Sequence, residues 1–192
     1  MTNNSGSKDM RLFIACEVPR DVQATISEVI ADLRDRSGNA VRWIRPEGVH
    51  VTLKFLGEVP QKKLPAIKIA LQEAVVRHPP FNLELSNNGT FGGREGLRIM
   101  WVGIAGDVLR LEALVRDVNL ALSVVGFEPE RRPFRPHLTL GRVRDEISTR
   151  QRAENAALPD IRPPRKGRSS GSSESGDSCE SVPRIRSHPY VA

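Results

Sequence analysis

The pattern His-apolar-Thr-Leu occurs twice, as His50-Val51-Thr52-Leu53 and His137-Leu138-Thr139-Leu140, and no other feature constrains the fold of this chain as much. Successive side chains on a β-strand point to opposite faces. Each copy therefore sets an imidazole beside a hydroxyl on one face and buries two apolar groups on the other. The two histidines lie 87 positions apart, near half of the ordered length, so the chain reads as a duplicated unit with pseudo-twofold symmetry.

The flanking sequence supplies the rest of each unit. Leu12 to Val18 reads as a short buried strand, and Pro19-Arg20-Asp21 opens a helix with Val22, Ile26, Val29 and Leu33 at helical spacing, ended by Ser37-Gly38-Asn39. Val41 to Ile44 is expected as a strand that pairs, across the turn Pro46-Glu47-Gly48, with the motif strand Val49 to Leu56. A helix follows Pro60, carrying Leu64, Ile67, Leu71 and Ala74, and stops near Pro79-Pro80. The order then restarts. Phe81, Leu83 and Leu85 alternate with polar residues, Leu97 to Ile104 forms a hairpin partner, Leu111, Leu114, Val115, Val118 and Leu122 make a helical stripe ending at Gly126, and His137 to Val143 carries the second motif. The glycine-rich run Gly89 to Gly96 lacks the Gly-Lys-Ser/Thr ending of a phosphate loop and reads as the hairpin connection.

At 192 residues the chain can bury a sizeable core in one compact, bilobal unit. Its 29 Lys and Arg against 23 Asp and Glu favour polyanionic partners without specifying a fold. Cys16 and Cys179 have no ligand-like spacing and fit a reducing compartment. No apolar run approaches the roughly 20 residues that cross a bilayer, so a cytoplasmic protein without a membrane partner is expected. Residues 1–9 read as a polar extension, with Met10 as an alternative start, and residues 10–157 as the two-lobed domain. Seven serines fall among the thirteen residues 169–181 and Tyr190 is the last aromatic, so residues 158–192 are expected to be a disordered tail rich in Ser, Arg and Pro.

Two imidazoles on one cleft can supply a neutral and a protonated ring together near neutral pH. Phosphodiester cleavage needs that combination, a base for the attacking water and an acid for the departing alkoxide. Thr52 and Thr139 can donate hydroxyl hydrogen bonds to the phosphoryl oxygens as charge accumulates on them. Lys54 is expected on the His50 face, adding positive charge. The same His-x-Thr pairs could be ordinary solvent-facing strand pairs, but their recurrence in matching contexts argues otherwise. A zinc site is disfavoured because no Cys or carboxylate stands at ligand spacing, and neither metal nor cofactor is expected. Arg131, Arg132 and Arg135 read equally as an RNA-backbone contact or a solvated loop, and His78 and His188 receive no role.

These motifs and their flanks resemble the two-histidine phosphoesterase superfamily, and within it the RNA 2′,3′-cyclic phosphodiesterase branch, also called 2′-5′ RNA ligase. The resemblance spans roughly residues 10–157, through Met10 to Ala15, Val41-Arg42-Trp43, Pro46-Glu47, His50 to Gly57, and Arg132 to Arg142. It implies an α+β, bilobal fold in which two antiparallel sheets flanked by helices bring the motif strands together across a central cleft. It also implies a metal-independent opening of a terminal 2′,3′-cyclic phosphate to a 2′-phosphomonoester. By that likeness His50 is the proton donor to the 3′ oxygen and His137 the acceptor that activates water, a distinction that composition and spacing do not make. Arg142 resembles the family's phosphate or nucleotide contact, and Phe55, at the same offset in the first motif, a base-stacking residue. Offset five falls on the opposite strand face, so both assignments require a bulge or a strand end.

After Val143 the sequence departs from the resemblance, and a truncation or shifted reading frame that weakens the second lobe is the expectation for residues 162–192. The expected partners are RNA ends or nucleotides with a 2′,3′-cyclic phosphate, bound by a monomer. Alternatives are 2′-5′ joining of RNA ends at the same site and a binding module that has lost turnover.

Overall fold

The computed structural model describes residues 9–92, 99–143 and 189–191. In chain order the elements are β1 (Asp9–Glu17), α1 (Arg20–Ser37), β2 (Val41–Trp43), β3 (His50–Pro60), α2 (Leu64–Val75), β4 (Leu83–Phe91), β5 (Ile99–Gly106), α3 (Val108–Val124), β6 (His137–Val143) and β7 (Pro189–Val191). The strands lie in the order β4-β5-β6-β3-β1-β7, with β2 added on β6, and every pairing is antiparallel.

The helices form where apolar residues recur on one face. Val22, Ile26, Ile30 and Leu33 of α1, Ile67, Ala70, Leu71 and Ala74 of α2, and Leu111, Leu114, Val115, Val118 and Leu122 of α3 are buried. They share one core with Val51, Leu53, Leu138 and Leu140 of the motif strands. Fully burying such a side chain contributes about 1.5–3 kcal/mol. The third helix stops as its sequence dictates: Gly126 takes φ 89°, and the amides of Gly126 and Phe127 donate to Ser123 O at 3.1 Å and Leu122 O at 3.0 Å, a Schellman ending that favours glycine.

The mixed antiparallel architecture agrees with expectation, but the two sheets are joined. Strands β3 and β6 meet at Val51 and Leu138, giving one seven-stranded sheet. The pairing expected between β2 and β3 is not formed; β2 crosses to β6, with Val41, Arg42 and Trp43 opposite Val143, Arg142 and Gly141. The 3₁₀ turn Pro46–Gly48 carries the chain away from a hairpin path, and Ile44 N–H donates to Leu140 O at 2.8 Å. Gly141 permits this close approach, because a Cβ there would stand 2.7 Å from Val41 Cγ1 and 3.1 Å from Trp43 Cε3.

The first strand begins at Asp9, one residue before the expected domain boundary. The expected disorder and truncation of the tail fall outside the described residues, except that Pro189–Val191 pair as a strand with Cys16, Ala15 and Ile14. The outer edge of β1 offers the unpaired backbone groups that such a strand needs.

Candidate active site

Each histidine is the first residue of its strand. The bends that precede them follow from proline: Pro46 opens the 3₁₀ turn before His50, and Pro136 holds Arg135 away from helical backbone before His137. Both bends aim a carbonyl at the ring that follows. His50 Nδ1–H donates to Gly48 O at 2.8 Å, and His137 Nδ1–H donates to Arg135 O at 2.6 Å. A carbonyl can only accept, so both rings carry hydrogen on Nδ1. In each, Nε2 is the nitrogen left to gain or lose a proton.

The β3–β6 pair Val51–Leu138 fixes what surrounds the rings. In that register His50 stands across from Thr139, and Thr52 across from His137. The histidines are thus diagonal neighbours, roughly 7–8 Å apart at the backbone for this kind of placement. All four side chains are half-buried on one face, while Val51, Leu53, Leu138 and Leu140 are buried on the other. The sequence pattern thus brings His50, Thr52, His137 and Thr139 together.

Beyond the motifs both strands bulge at the same place. The register against β1 shifts between Ile14 and Ala15, whose partners are Lys54 and Thr52. The register against β5 shifts between Met100 and Trp101, whose partners are Gly141 and Thr139. Each bulge turns the fourth motif residue and its successor inward together, Leu53 with Lys54 and Leu140 with Gly141. Offset five returns outward, so Phe55 and Arg142 are exposed at equivalent positions on the histidine face.

Lys54 corrects an expectation. It is 6% exposed and reaches α3 and the segment after it, where Nζ donates to Asn119 Oδ1 at 2.7 Å and Glu128 O at 2.6 Å. The bulge carries it off the histidine face and removes it from the substrate-binding set. Burial lowers its ammonium below the ordinary value, with Glu130 opposing.

Aromatic rings that the motif did not indicate complete the site. Phe13 stacks on His50, with centroids 4.6 Å apart at 22°, and lies 6.2 Å from Phe55. Phe91 meets His137 edge-on at 4.9 Å and stacks on Trp101 at 4.9 Å. The Arg135 guanidinium lies 6.0 Å from the Phe91 ring centre, at the approach to His137. The available signal was strand pairing rather than motif, since Phe13 lies on the strand beside β3 and Phe91 ends the hairpin strand beside β5.

Gly89 to Phe91 belongs to β4 and pairs with Ile99 to Trp101, as a hairpin requires, while residues 93–98 lie outside the described set. His78, given no role from the sequence, meets a carboxylate across the fold: its Nε2 is 2.9 Å from Asp117 Oδ2 on α3. His188 lies outside the described residues. Among the described residues no three of His, Cys, Asp and Glu cluster as metal ligands, and no helix is long and apolar enough to cross a membrane.

Comparison with known proteins shows what the chain is similar to. The family described as LigT-like phosphoesterase matches residues 17–101 and 102–166. An RNA 2′,3′-cyclic phosphodiesterase of Thermotoga maritima is 36% identical over 135 residues, covering 70% of this chain and 71% of the relative. One of Geobacillus stearothermophilus is also 36% identical over 135 residues, although the match spans 42% of that longer protein. The crystal structure of apo E. coli LigT superposes with a TM-score of 0.62 at 28% identity, covering 80% of this chain and 79% of that one. E. coli LigT complexed with 3′-AMP gives 0.60 at 26% identity, covering 79% of each chain.

Proposed function

Because the chain belongs to the LigT-like phosphoesterase family, we propose that it hydrolyses the 2′,3′-cyclic phosphate at the end of an RNA, or of a nucleotide, to the 2′-phosphomonoester, using no metal. Water attacks phosphorus as His137 Nε2 takes its proton. The P–O3′ bond breaks as the 3′ oxygen receives the proton held on His50 Nε2. One ring ends protonated and the other neutral, and proton exchange with solvent resets the pair.

The two Nδ1–H bonds to Gly48 O and Arg135 O carry this reading. They leave Nε2 as the working nitrogen in both rings and hold each ring against rotation. Thr139 beside His50 and Thr52 beside His137 supply hydroxyl donors to the phosphoryl oxygens from both strands. Phe55 offers a stacking surface for the base, Arg142 a contact to the nucleotide and Arg135 one to the approaching strand. The complex of E. coli LigT, a structural relative, with 3′-AMP supports a nucleotide ligand.

The same site run in reverse joins a cyclic phosphate end to a 5′-hydroxyl. Incubation with a 2′,3′-cyclic mononucleotide, with and without EDTA, tests the hydrolysis. Formation of the 2′-phosphate at a rate indifferent to chelation is expected. Binding without product, or release of the 3′-phosphate, would overturn it.

A further inference from the structure

Arg42 of β2 and Arg142 of β6 stand directly opposite each other in an antiparallel pair. Both are exposed, while the residues on either side, Val41 with Val143 and Trp43 with Gly141, turn away from them. Like charges directly opposite on neighbouring strands destabilise a sheet. Here the pairing is nonetheless enforced by packing from the other face, where Val41 and Trp43 close over Gly141 at a distance that leaves no room for a Cβ. Among the described residues neither arginine forms an ion pair with a carboxylate. Two arginines placed opposite each other and exposed on one face, with no carboxylate partner among the described residues, are suited to an anion.

Their place on the sheet identifies which anion. Arg142 follows Thr139 on the same strand, on the histidine face, with about 10 Å of strand between them, a span that one nucleotide and an arginine side chain bridge. The equivalent position in the first half holds Phe55, so the duplicated scaffold ends in an aromatic surface on one side and a cationic one on the other. A cyclic mononucleotide has one phosphate, which the histidines engage. An RNA chain has another, on the 5′ side of its terminal nucleotide.

We propose that Arg42 and Arg142 clamp this next phosphate, so that the site prefers an RNA end to a free cyclic mononucleotide. The proposal rests on the assigned reaction for the position of the first phosphate. Its specific element is Arg42, which the fold delivers from the first half of the chain to the second motif strand.

Two measurements separate the clamp from the reaction. In titration calorimetry, a dinucleotide ending in a 2′-phosphate should bind the wild-type protein at least about tenfold more tightly than the matching nucleoside 2′-phosphate. Arg42→Ala should collapse that ratio toward one and Arg42→Lys should restore part of it. The salt dependence of dinucleotide binding should also lose about 0.7 in its log–log slope in Arg42→Ala, as one phosphate contact fewer in a single strand predicts. Equal affinities in the wild type, or an Arg42→Ala variant that weakens both ligands by the same factor, would overturn the clamp. These titrations need no turnover, so a failure of hydrolysis with the binding ratio intact would count against the reaction and leave the clamp standing. In turnover, the ratio of kcat/KM for a short oligoribonucleotide with a cyclic end to that for the cyclic mononucleotide should fall in Arg42→Ala by about the same factor.

Discussion

Val51 and Leu138 form the pair through which β3 and β6 meet, and both are fully buried. One residue to either side of this pair stands a histidine of one half facing a threonine of the other. A site assembled in this way works as a unit. His50→Ala and His137→Ala are each expected to lower kcat by about 10²-fold or more, and the double variant to be scarcely worse than the weaker single one. Thr52→Val and Thr139→Val should each cost at least about tenfold in kcat. Steady-state kinetics on a cyclic mononucleotide checks all five, and a single histidine variant of normal rate would remove that ring from the mechanism.

The hydrogen bonds from Nδ1 to Gly48 O and Arg135 O determine the form of the pH profile. In the proposed reaction one Nε2 is free and the other protonated, so kcat/KM should fall on the acid side as the base is protonated and on the alkaline side as the acid is lost. The measured flanks belong to the pair, not to one ring. His137→Ala should flatten the acid flank of its residual rate and His50→Ala the alkaline flank, and the reverse result would exchange their roles.

The repeated motif made the strands, their faces and the four central side chains legible because period-two alternation is a local property of the chain. The helical stripe from Leu111 to Leu122 was legible for the same reason, and every residue of it is buried. What escaped depends on partners distant in sequence. The fate of Lys54 is set by a bulge against β1 and by an acceptor on Asn119, neither of which its own neighbourhood announces. The crossing of β2 to β6 depends on the absence of a side chain at Gly141, nearly a hundred residues away. Phe13 and Phe91 reach the histidines across strand pairings that form only when the sheet closes.

Gly141 should therefore tolerate no side chain. A Cβ would stand 2.7 Å from Val41 Cγ1 and 3.1 Å from Arg42 O. Because one of these contacts is backbone, β2 itself must shift. Gly141→Ala is expected to destabilise the fold by about 1–3 kcal/mol, measured by urea unfolding. Pairing it with Val41→Ala, which removes the closest clashing atom, should recover part of the loss.

Cys16 is fully buried and its thiol is pushed up to about 12 by desolvation. Only about one molecule in ten thousand would carry the thiolate near pH 8, and that one is shielded. In a Cys179→Ser background an aromatic disulfide reagent should leave the folded protein unlabelled, and labelling should follow the urea unfolding curve. Rapid modification of the folded chain would show that β1 opens near its C-terminal end.

Lys54 ties β3 to α3 through Asn119 and to the segment before β6 through Glu128 O. Lys54→Met keeps most of the stem but strands the carbonyl of Glu128, and should cost about 1–3 kcal/mol in unfolding free energy. Burial holds its ammonium below the ordinary 10.5. Between that lowered value and 10.5 the unfolded chain binds more protons at this position than the folded one. The contribution of Lys54 to stability therefore rises with pH through the window and is smallest below it. Unfolding free energies of the wild type and Lys54→Met, measured in parallel from neutral pH toward 10.5, should show a difference that grows in favour of the wild type. A difference that shrinks as pH rises would mean that the buried ammonium is held charged by its partners more strongly than burial opposes it.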